Sequence, residues 1–90
     1  MSYWVYILRC GDGSLYTGTA ADVERRLAAH QRGKGAKYTR SHLPVSLAYR
    51  EAQPDKPAAL RREAAIKRLS RAEKLRLISG AATETPETSK

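Results

Sequence analysis

The chain has 90 residues, of which 41% are hydrophobic, so it can bury the core of one small domain but not of two. Lysine and arginine total 17 against nine acidic residues, and the net charge of +8 is typical of proteins that bind polyanions, nucleic acid above all. No apolar run approaches the roughly 20 residues of a membrane span, and the single cysteine, Cys10, excludes an internal disulfide and predicts a reducing, cytoplasmic location.

The N-terminal segment predicts a β-hairpin. Residues 3–10 are rich in aromatic and β-branched side chains, and a second such run covers residues 14–19. The turn between them reads GDG. A two-residue turn leaves Tyr6 and Tyr16 on opposite faces of the hairpin, whereas a three-residue loop with its last glycine in the left-handed conformation puts them on one face. The sequence alone leaves this register open.

A first helix follows the hairpin. Asp22 is a favourable N-cap for a helix over residues 23 to about 32, and Gly33 stands just past its end. Helical spacing places Arg26 and His30 on the same stripe as two apolar residues, so both are expected to line the edge of a cleft. One turn apart, they can hold one anion between them.

The rest of the chain alternates between loop, strand and helix. Residues 31–40 read QRGKGAKYTR, a glycine-rich basic loop, and residues 45–50 alternate in polarity like a third strand. A linker with two prolines, residues 53–57, leads into a helix that runs from its last proline to about residue 69. A capping-box pattern then opens a short helix over residues 70–78, which a glycine ends.

The element order is therefore ββαβαα. We predict an α/β (α+β) domain over residues 1–79, with a small three-stranded mixed sheet flanked by helices. The tail, residues 80–90, is polar and rich in threonine and glutamate, and it is expected to be disordered. Nothing in the sequence calls for an obligate protein partner, so a monomer is expected.

Glu63 is a candidate metal ligand. It lies on or beside the apolar stripe of the long helix, in a chain with few acids. The plain interpretation is that Arg61 and Arg62 neutralise it. The alternative is a divalent-metal site with a single carboxylate, because Mg²⁺ often takes one or two protein carboxylates and completes its shell with phosphate oxygens and water.

The basic loop is a candidate nucleic-acid surface. Its cations carry no interleaved acid and surround one aromatic residue, which predicts a segment that tracks phosphates and stacks a base. The candidate residues are Arg32, Lys34, Lys37, Tyr38 and Arg40, with Lys67 as a further cation. The alternative is an ordinary solvated loop. His42 has no obvious partner, and Cys10 is expected to be a small packed residue.

These segments, in this order, resemble the GIY-YIG nuclease superfamily, and specifically its small single-domain branch. Val5-Tyr6 matches the last two positions of the first family motif, with Trp4 in place of its glycine. Tyr16-Thr17-Gly18 resembles the second motif, with threonine for isoleucine. The resemblance covers about residues 3–78 and selects the three-residue hairpin loop.

Three longer segments carry the resemblance further. Residues 18–30, GTAADVERRLAAH, are similar to the family's passage from the second strand into the first helix. Residues 33–40 resemble the loop of the single-domain branch, and residues 62–67, REAAIK, resemble the helix with the metal-binding glutamate. The chain contains no asparagine, although many members of the family place one near the active site.

The resemblance implies hydrolysis of a DNA phosphodiester with Mg²⁺ or Mn²⁺. It assigns the catalytic arginine to Arg26, the helix histidine to His30 and the metal-binding glutamate to Glu63. Tyr6, held as a phenolate by nearby positive charge, is the expected general base. Tyr16 is expected to orient the phosphate or the water, and the two tyrosines can exchange roles. His30 is expected to relay a proton or to contact the phosphate.

The small size favours single-stranded or branched DNA as the substrate, because a domain of this length cannot wrap a long duplex. DNA repair or recombination is the expected setting. The main alternative is a non-catalytic nucleic-acid-binding module on the same scaffold. A basic protein that associates with RNA is a third interpretation, which predicts RNA preferred over DNA of equal length.

Overall fold

The computed structural model describes residues 2–84. The elements, in chain order, are β1 (Tyr3–Arg9), β2 (Leu15–Ala20), α1 (Val23–Gln31), α2 (Lys37–Arg40), β3 (Ser46–Gln53), α3 (Lys56–Lys67) and α4 (Arg71–Glu84). The α+β class and the predicted order are confirmed, with one addition. The short helix α2 occupies the end of the segment that the sequence predicted to be a loop. Within the described residues, no helix is both long and apolar enough to cross a bilayer.

The sheet has the order β2-β1-β3, and both pairs of neighbours are antiparallel. The prediction of a mixed sheet is therefore wrong in this detail. The reason is that β3 pairs with the open side of β1 rather than with β2, and it runs in the direction of β2. The central strand β1 is hydrogen-bonded on both sides, whereas β2 is an edge strand.

Both faces of β1 are covered, which explains why its sequence is almost continuously apolar. Alternation sends Val5 and Ile7 to one face, where they pack in a cluster with Ile66 of α3. Tyr6 and Leu8 point to the other face, which α1 covers. The candidate site residues of β1 and β2 thus lie on the α1 face, and Glu63 belongs to the helix on the opposite face.

The last helix is longer than predicted. Its capping box is present, since the Ser70 amide donates to Glu73 Oε1 at 2.8 Å and the Glu73 amide donates to Ser70 Oγ at 3.1 Å. The predicted end near Ile78 is wrong, because α4 continues to Glu84. One glycine inside a helix costs only about 1 kcal/mol relative to alanine, which is not enough to end it. Residues 80–84 of the predicted tail are therefore helical, and residues 85–90 lie outside the described residues.

A polar network centred on Glu51 ties β3 to α3. Arg62 donates to the carboxylate from Nε at 2.7 Å and from a terminal nitrogen at 3.3 Å, and Gln53 donates at 2.7 Å. The Tyr49 hydroxyl also donates to it. Burial alone raises the pKa of Glu51, but the hydrogen bonds outweigh burial and hold the pKa below its usual value. The network fixes α3 at the residue that precedes Glu63.

Glu51→Gln is expected to weaken the fold and to reduce its sensitivity to acid. A carboxyl with a depressed folded-state pKa stabilises the fold above its unfolded-state pKa, about 4.3, and loses this contribution as the pH falls through the folded-state pKa. We expect the variant to lose about 1–2 kcal/mol at pH 7, less than for a fully buried pair because the Arg62 side chain is 38% exposed. The acid-induced loss of stability below about pH 4.3 should also be smaller in the variant.

Urea denaturation at pH 7 and in acid measures both effects. Glu24→Gln is the matched control, because it removes a carboxylate whose ion pair with Arg50 is exposed, and it should change neither quantity appreciably. If Glu51→Gln unfolds at the same urea concentration as the wild type, the network does not hold α3 in place.

Candidate active site

The β1–β2 hairpin has the register that puts Tyr6 and Tyr16 on one face. Leu8 lies opposite Tyr16, and Tyr6 lies opposite Gly18. In the loop, Gly13 has φ +86°, the left-handed conformation that the three-residue loop requires. The prediction of two tyrosines on one face is therefore confirmed. Tyr6 is buried, and the half-buried Tyr16 packs against the same apolar cluster.

The Tyr6 hydroxyl begins a buried chain of hydrogen bonds into α1 and α2. It lies 2.9 Å from His30 Nε2, and His30 Nδ1 lies 2.7 Å from Thr39 Oγ1. The Thr39 hydroxyl donates to the carbonyl oxygen of Ala36 at 2.9 Å. Because its only proton is used there, Thr39 must accept from His30 Nδ1–H, which leaves Nε2 of a neutral ring as an acceptor. Tyr6 therefore donates its proton to His30.

Dense packing holds the His30 ring in this position. His30 is 1% exposed and Thr39 is fully buried. A Cβ atom on Gly35 would lie 2.1 Å from His30 Nδ1, so only a glycine lets this segment lie directly on the ring. The segment predicted to be a solvated basic loop therefore has an inner side that completes the histidine site.

The same packing fixes the protonation states of the pair. Burial raises the pKa of Tyr6 far above its usual value; the nearby Tyr16 adds to this effect, Arg26 opposes it and Glu63 adds to it. Burial, followed by the charge of Arg26, lowers the pKa of His30. Both groups are thus neutral at pH 7. The expectation that positive charge holds Tyr6 as a phenolate is wrong for the protein alone, because burial outweighs Arg26.

Gly18 provides the space in which the Tyr6 ring lies. A Cβ atom on Gly18 would stand 2.6 Å from the Tyr6 hydroxyl oxygen and 3.2 Å from Cε2 of Tyr16. Tyr6 is only 2% exposed, so its ring has no free volume into which it can move. The third position of the Tyr16-Thr17-Gly18 motif therefore requires a residue without a side chain.

Gly18→Ala is expected to separate Tyr6 from His30. Overpacking a buried contact of this kind costs about 1–3 kcal/mol, so the free energy of unfolding should fall by that amount. The fall is measured by urea denaturation. The His30 ring should also lose its buried environment, which NMR titration of its carbon-bound protons would show as a pKa that returns towards 6.5. An unchanged His30 titration in a folded variant would contradict this explanation of the motif.

Arg26 lies at the surface beside the buried pair. It is exposed and lines an open cleft of about 430 Å³ together with Tyr3 and Arg25. Its charge acts on both Tyr6 and His30, which places the guanidinium near their hydrogen bond. The expectation that Arg26 and His30 jointly hold an anion is not met, because both His30 nitrogens are bonded within the protein.

Glu63 is the carboxylate of the site. Its side chain is 18% exposed, and its Oε2 lies 3.1 Å from Nζ of Lys67. Its charge acts on Tyr6, so α3 contributes to the electrostatics of the tyrosine pair. Among residues 2–84, no three His, Cys, Asp or Glu side chains come together as a metal cluster. Glu63 thus stands as a lone carboxylate, and a site with one protein carboxylate is compatible with Mg²⁺ when water and phosphate oxygens complete its shell.

A row of aromatic rings leads from the buried pair to the surface. The centroid distances are 5.5 Å from His30 to Tyr16, 6.2 Å from Tyr16 to Tyr38 and 4.1 Å from Tyr38 to His42. His42 Nδ1 donates to the Tyr38 carbonyl oxygen at 2.7 Å, and its Nε2 lies 3.6 Å from Asp12 Oδ2. The histidine for which the sequence suggested no partner is thus held against Tyr38.

The candidate nucleic-acid cations occupy exposed positions. These are Arg32, Lys34, Lys37, Arg40 and Lys67. Lys37 and Arg40 flank Tyr38 within α2, and Lys67 lines a cleft together with Tyr16 and Tyr38. The structure therefore places the candidates Tyr38 and Lys67 beside Tyr16 in one cleft. The other four cations lie at the surface, on α2 or in the segment that precedes it.

Sequence reasoning missed two residues that build the site, Gly35 and Thr39, and treated Lys74 only as one of the cations that extend the positive charge. Gly35 and Thr39 shape the surroundings of His30, and Lys74 lines the cleft with Tyr38. One feature of the sequence could have indicated Thr39, because it is the single small uncharged side chain in residues 37–40, KYTR. If these residues are treated as helical, that side chain is the natural one to face inward. The contact of Lys74 comes from the packing of α4 and has no local signal.

A model of the GIY-YIG catalytic domain, a domain of the endonuclease class, matches residues 2–76. The chain belongs to the GIY-YIG family. The resemblance stated from the sequence motifs is thereby confirmed.

Similar proteins are small and span nearly the same length. The chain is 57% identical over 75 residues to a UPF0213 protein of Streptococcus sanguinis strain SK36, covering 83% of this chain and 86% of that one. It is 54% identical over 77 residues to a UPF0213 protein of Staphylococcus aureus strain Mu3, covering 86% and 94%. A solution NMR structure of the UPF0213 protein from Bacillus halodurans matches with 45% identity and a TM-score of 0.58, covering 98% and 100%. Another, of a protein from E. faecalis, matches with 37% identity and a TM-score of 0.64, covering 98% and 94%.

Proposed function

We propose that this protein is a metal-dependent DNA endonuclease. The observation that carries the proposal is the buried hydrogen bond of 2.9 Å from the Tyr6 hydroxyl to a neutral His30. A phenol bonded to a neutral imidazole can pass a proton on, and Arg26 and Glu63 both act electrostatically on this phenol. GIY-YIG domains are nuclease domains and generally use divalent metals. The membership and the geometry therefore support the same activity.

Each of the charged residues has a role in binding. The exposed Arg26 guanidinium donates to non-bridging oxygens of the scissile phosphate and stabilises the charge that develops on them. Glu63 would hold Mg²⁺ or Mn²⁺, which would supply stabilisation for the charge that develops on the leaving oxygen. Tyr16, half-buried next to His30, orients the phosphate or the attacking water. The products carry 5′-phosphate and 3′-hydroxyl ends.

The Tyr6–His30 pair moves the proton. As Tyr6 accepts a proton from the attacking water, its own proton passes to His30 Nε2, so a free phenolate does not accumulate in a site that raises its pKa. The hydroxide forms the new bond to phosphorus while the bond to the 3′ oxygen breaks, and the departing 3′ oxygen takes a proton from solvent to become the 3′-hydroxyl. The proton on His30 then leaves to solvent by way of Tyr6, which regenerates the neutral pair.

Substrate binding helps this transfer. In the protein alone, the charge of Arg26 lowers the pKa of His30 and so opposes its protonation. A phosphate bound to Arg26 brings negative charge to the same place and offsets that repulsion. His30 therefore becomes a better proton acceptor once the scissile phosphate is seated. Because the histidine nitrogens are both bonded within the protein, its proposed role is the relay and not a direct phosphate contact.

We further propose single-stranded or branched DNA as the substrate, in DNA repair or recombination in the cytoplasm, with the protein acting as a monomer. The exposed Tyr38, stacked on His42 and flanked by Lys37 and Arg40, supports a strand with accessible bases. The buried Cys10 thiol, unpaired among the described residues, fits a reducing compartment.

A cleavage assay tests the proposal. Purified protein is incubated with end-labelled single-stranded, blunt duplex and forked DNA in Mg²⁺, in Mn²⁺ or in EDTA. We expect single-stranded and forked DNA to be cut faster than blunt duplex, with 5′-phosphate products and no cutting in EDTA. Binding to every substrate with no cutting in either metal would instead support the non-catalytic module. Equally fast cutting of blunt duplex would overturn the strand preference and leave the nuclease assignment in place.

A further inference from the structure

A second cleft lies beside the tyrosine pair, at the outer edge of the sheet. It has a volume of about 340 Å³ and is lined by Leu15, Tyr16, Thr17, Tyr38, Lys67 and Lys74. Because β2 is an edge strand, side chains from both of its faces reach this cleft. The cleft is thus lined by two tyrosines, two lysines, one threonine and one leucine within the space of a small ligand.

The hydroxyl of Thr17 is the feature that points to a ligand. Thr17 is 3% exposed, and its Oγ1 has no hydrogen-bond partner within residues 2–84. Nearly all buried polar groups in native proteins are paired, because an unpaired one loses its hydrogen bonds to water without replacement. A ligand that brings an oxygen acceptor into this cleft would satisfy the hydroxyl.

The aromatic rings are arranged to stack a planar group. The ring planes of Tyr16 and Tyr38 are within 16° of parallel, and those of Tyr38 and His42 are within 12°. His42 is held in place by the Tyr38 carbonyl and Asp12, so the row is set before a ligand arrives. Tyr38 is 41% exposed, which leaves ring surface available to a base.

The ammonium groups supply the charge for a phosphate. Lys74 comes from α4 and Lys67 from the last turn of α3, so two helices converge on one point of the cleft. Lys67 also pairs with Glu63 at 3.1 Å. The Lys67 side chain is 55% exposed, so its ammonium group can also contact a phosphate in the cleft.

We propose that this cleft binds one nucleotide of a DNA single strand, next to the position of cleavage. The base stacks on the row formed by Tyr16, Tyr38 and His42. The phosphate lies between Lys67 and Lys74 and accepts the proton of the Thr17 hydroxyl. This subsite deepens the proposed nuclease function and rests on it for its place along the strand, but binding here needs neither metal nor chemistry.

Fluorescence anisotropy in EDTA tests the subsite separately from cleavage. The probes are a labelled oligothymidylate of about 15 nucleotides and an abasic chain of the same length, which keeps the phosphates and lacks the bases. The wild type is expected to bind the thymidylate about tenfold more tightly, the effect of stacking one base. Tyr38→Leu should bring this ratio close to one and leave the affinity for the abasic chain unchanged.

Two further variants test the phosphate contacts. Lys74→Ala should lower the affinity for both probes equally and reduce the salt dependence of binding by about one phosphate contact. The control is Lys56→Ala, at the end of α3 away from Lys67, which should change neither quantity. Thr17→Val keeps the shape of the side chain and removes the unpaired hydroxyl. It should leave the free protein at least as stable and still weaken both probes, a combination that a purely structural role does not produce.

The outcomes separate the two proposals. Equal binding of the two probes by the wild type would overturn the stacking site, and unchanged affinity in both Lys74→Ala and Thr17→Val would overturn the phosphate site. A tenfold preference for bases in a protein that never cuts DNA would support the subsite and overturn the nuclease function. If the protein cuts DNA but binds both probes equally, the nuclease function would be supported and the stacking site would be overturned.

Discussion

Glu63→Gln is expected to reduce the rate of DNA cleavage by about a thousandfold without weakening DNA binding. The glutamine amide keeps the size of the side chain and loses the charge that holds the metal, and charge stabilisation by a metal contributes several kcal/mol to such reactions. The ion pair with Lys67 is partly exposed, so its loss should leave the fold intact. Lys67 also becomes available to phosphate. Affinity for single-stranded DNA in EDTA should therefore be equal to that of the wild type or higher.

Single-turnover cleavage in Mg²⁺ and Mn²⁺ measures the effect, with anisotropy in EDTA for binding. Glu24→Gln is the control, because it removes the same charge at an exposed position on α1 and should cut DNA at the wild-type rate. Cleavage by Glu63→Gln at a rate close to that of the wild type would remove Glu63 from the reaction and would leave the domain without its assigned metal ligand.

Tyr6→Phe is expected to lower the rate of cleavage by about a hundredfold to ten-thousandfold, the range that general acid–base catalysis contributes. The phenyl ring still packs over Gly18, but His30 Nε2 loses its buried partner, so the variant should also lose about 1–3 kcal/mol of stability. In the wild type, activity should fall as the pH is lowered, because His30 accepts a proton only when it is neutral. Since the pKa of His30 is lowered from 6.5, the wild type should be fully active at pH 7 and lose activity only below about pH 6.5.

Rates of cleavage between pH 5 and pH 8 test this assignment in the wild type, Tyr6→Phe and Tyr16→Phe. If Tyr6 is the residue that passes its proton to His30, the rate of Tyr16→Phe should be reduced but should still fall at low pH as in the wild type. The rate of Tyr6→Phe should no longer fall at low pH. The opposite pattern would exchange the roles of the two tyrosines. Wild-type activity that stays constant through the pH at which NMR shows His30 to be protonated would exclude His30 as the proton acceptor.

The same buried histidine makes the fold sensitive to acid. The unfolded chain binds a proton at His30 with an ordinary pKa, about 6.5, while the folded chain resists it. The contribution to the free energy of unfolding is therefore complete above about pH 6.5 and is lost as the pH falls towards the folded-state pKa. This loss begins near pH 6.5, whereas the contribution of Glu51 is lost only below about pH 4.3, so urea denaturation at several pH values distinguishes the two groups.

Much of the site could be predicted because local patterns encode it. The three-residue loop decides the faces of Tyr6 and Tyr16, and helical spacing puts Arg26 and His30 on one side of α1. The partners of His30 were out of reach, because Tyr6 is 24 residues away and Thr39 nine. Only the tertiary fold brings them together, and it decides that His30 bonds to protein instead of phosphate.

The errors in the fold have similar causes. The pairing of β3 with β1 is a tertiary choice that the alternating pattern of residues 45–50 does not reveal, so the mixed sheet was a wrong prediction. The cations of residues 37–40 and the glycines before them favour the prediction of a loop, although these residues form a helix. Thr39 is the buried residue of that helix. The end of α4 was placed too early because one glycine is a weak helix breaker when the residues after it are compatible with a helix.

Tyr38 and Thr39 are consecutive residues of the single turn of α2, and they serve different purposes. Tyr38 lines the cleft at the surface, and Thr39 accepts a hydrogen bond from the buried His30. A movement of this turn displaces both side chains, so the proposed choice of strand and the proposed proton relay would be mechanically joined. Engineering a new substrate preference by reshaping α2 would therefore alter the chemistry as well. Changes at Lys74, on a separate helix, offer a way to alter preference while leaving the relay in place.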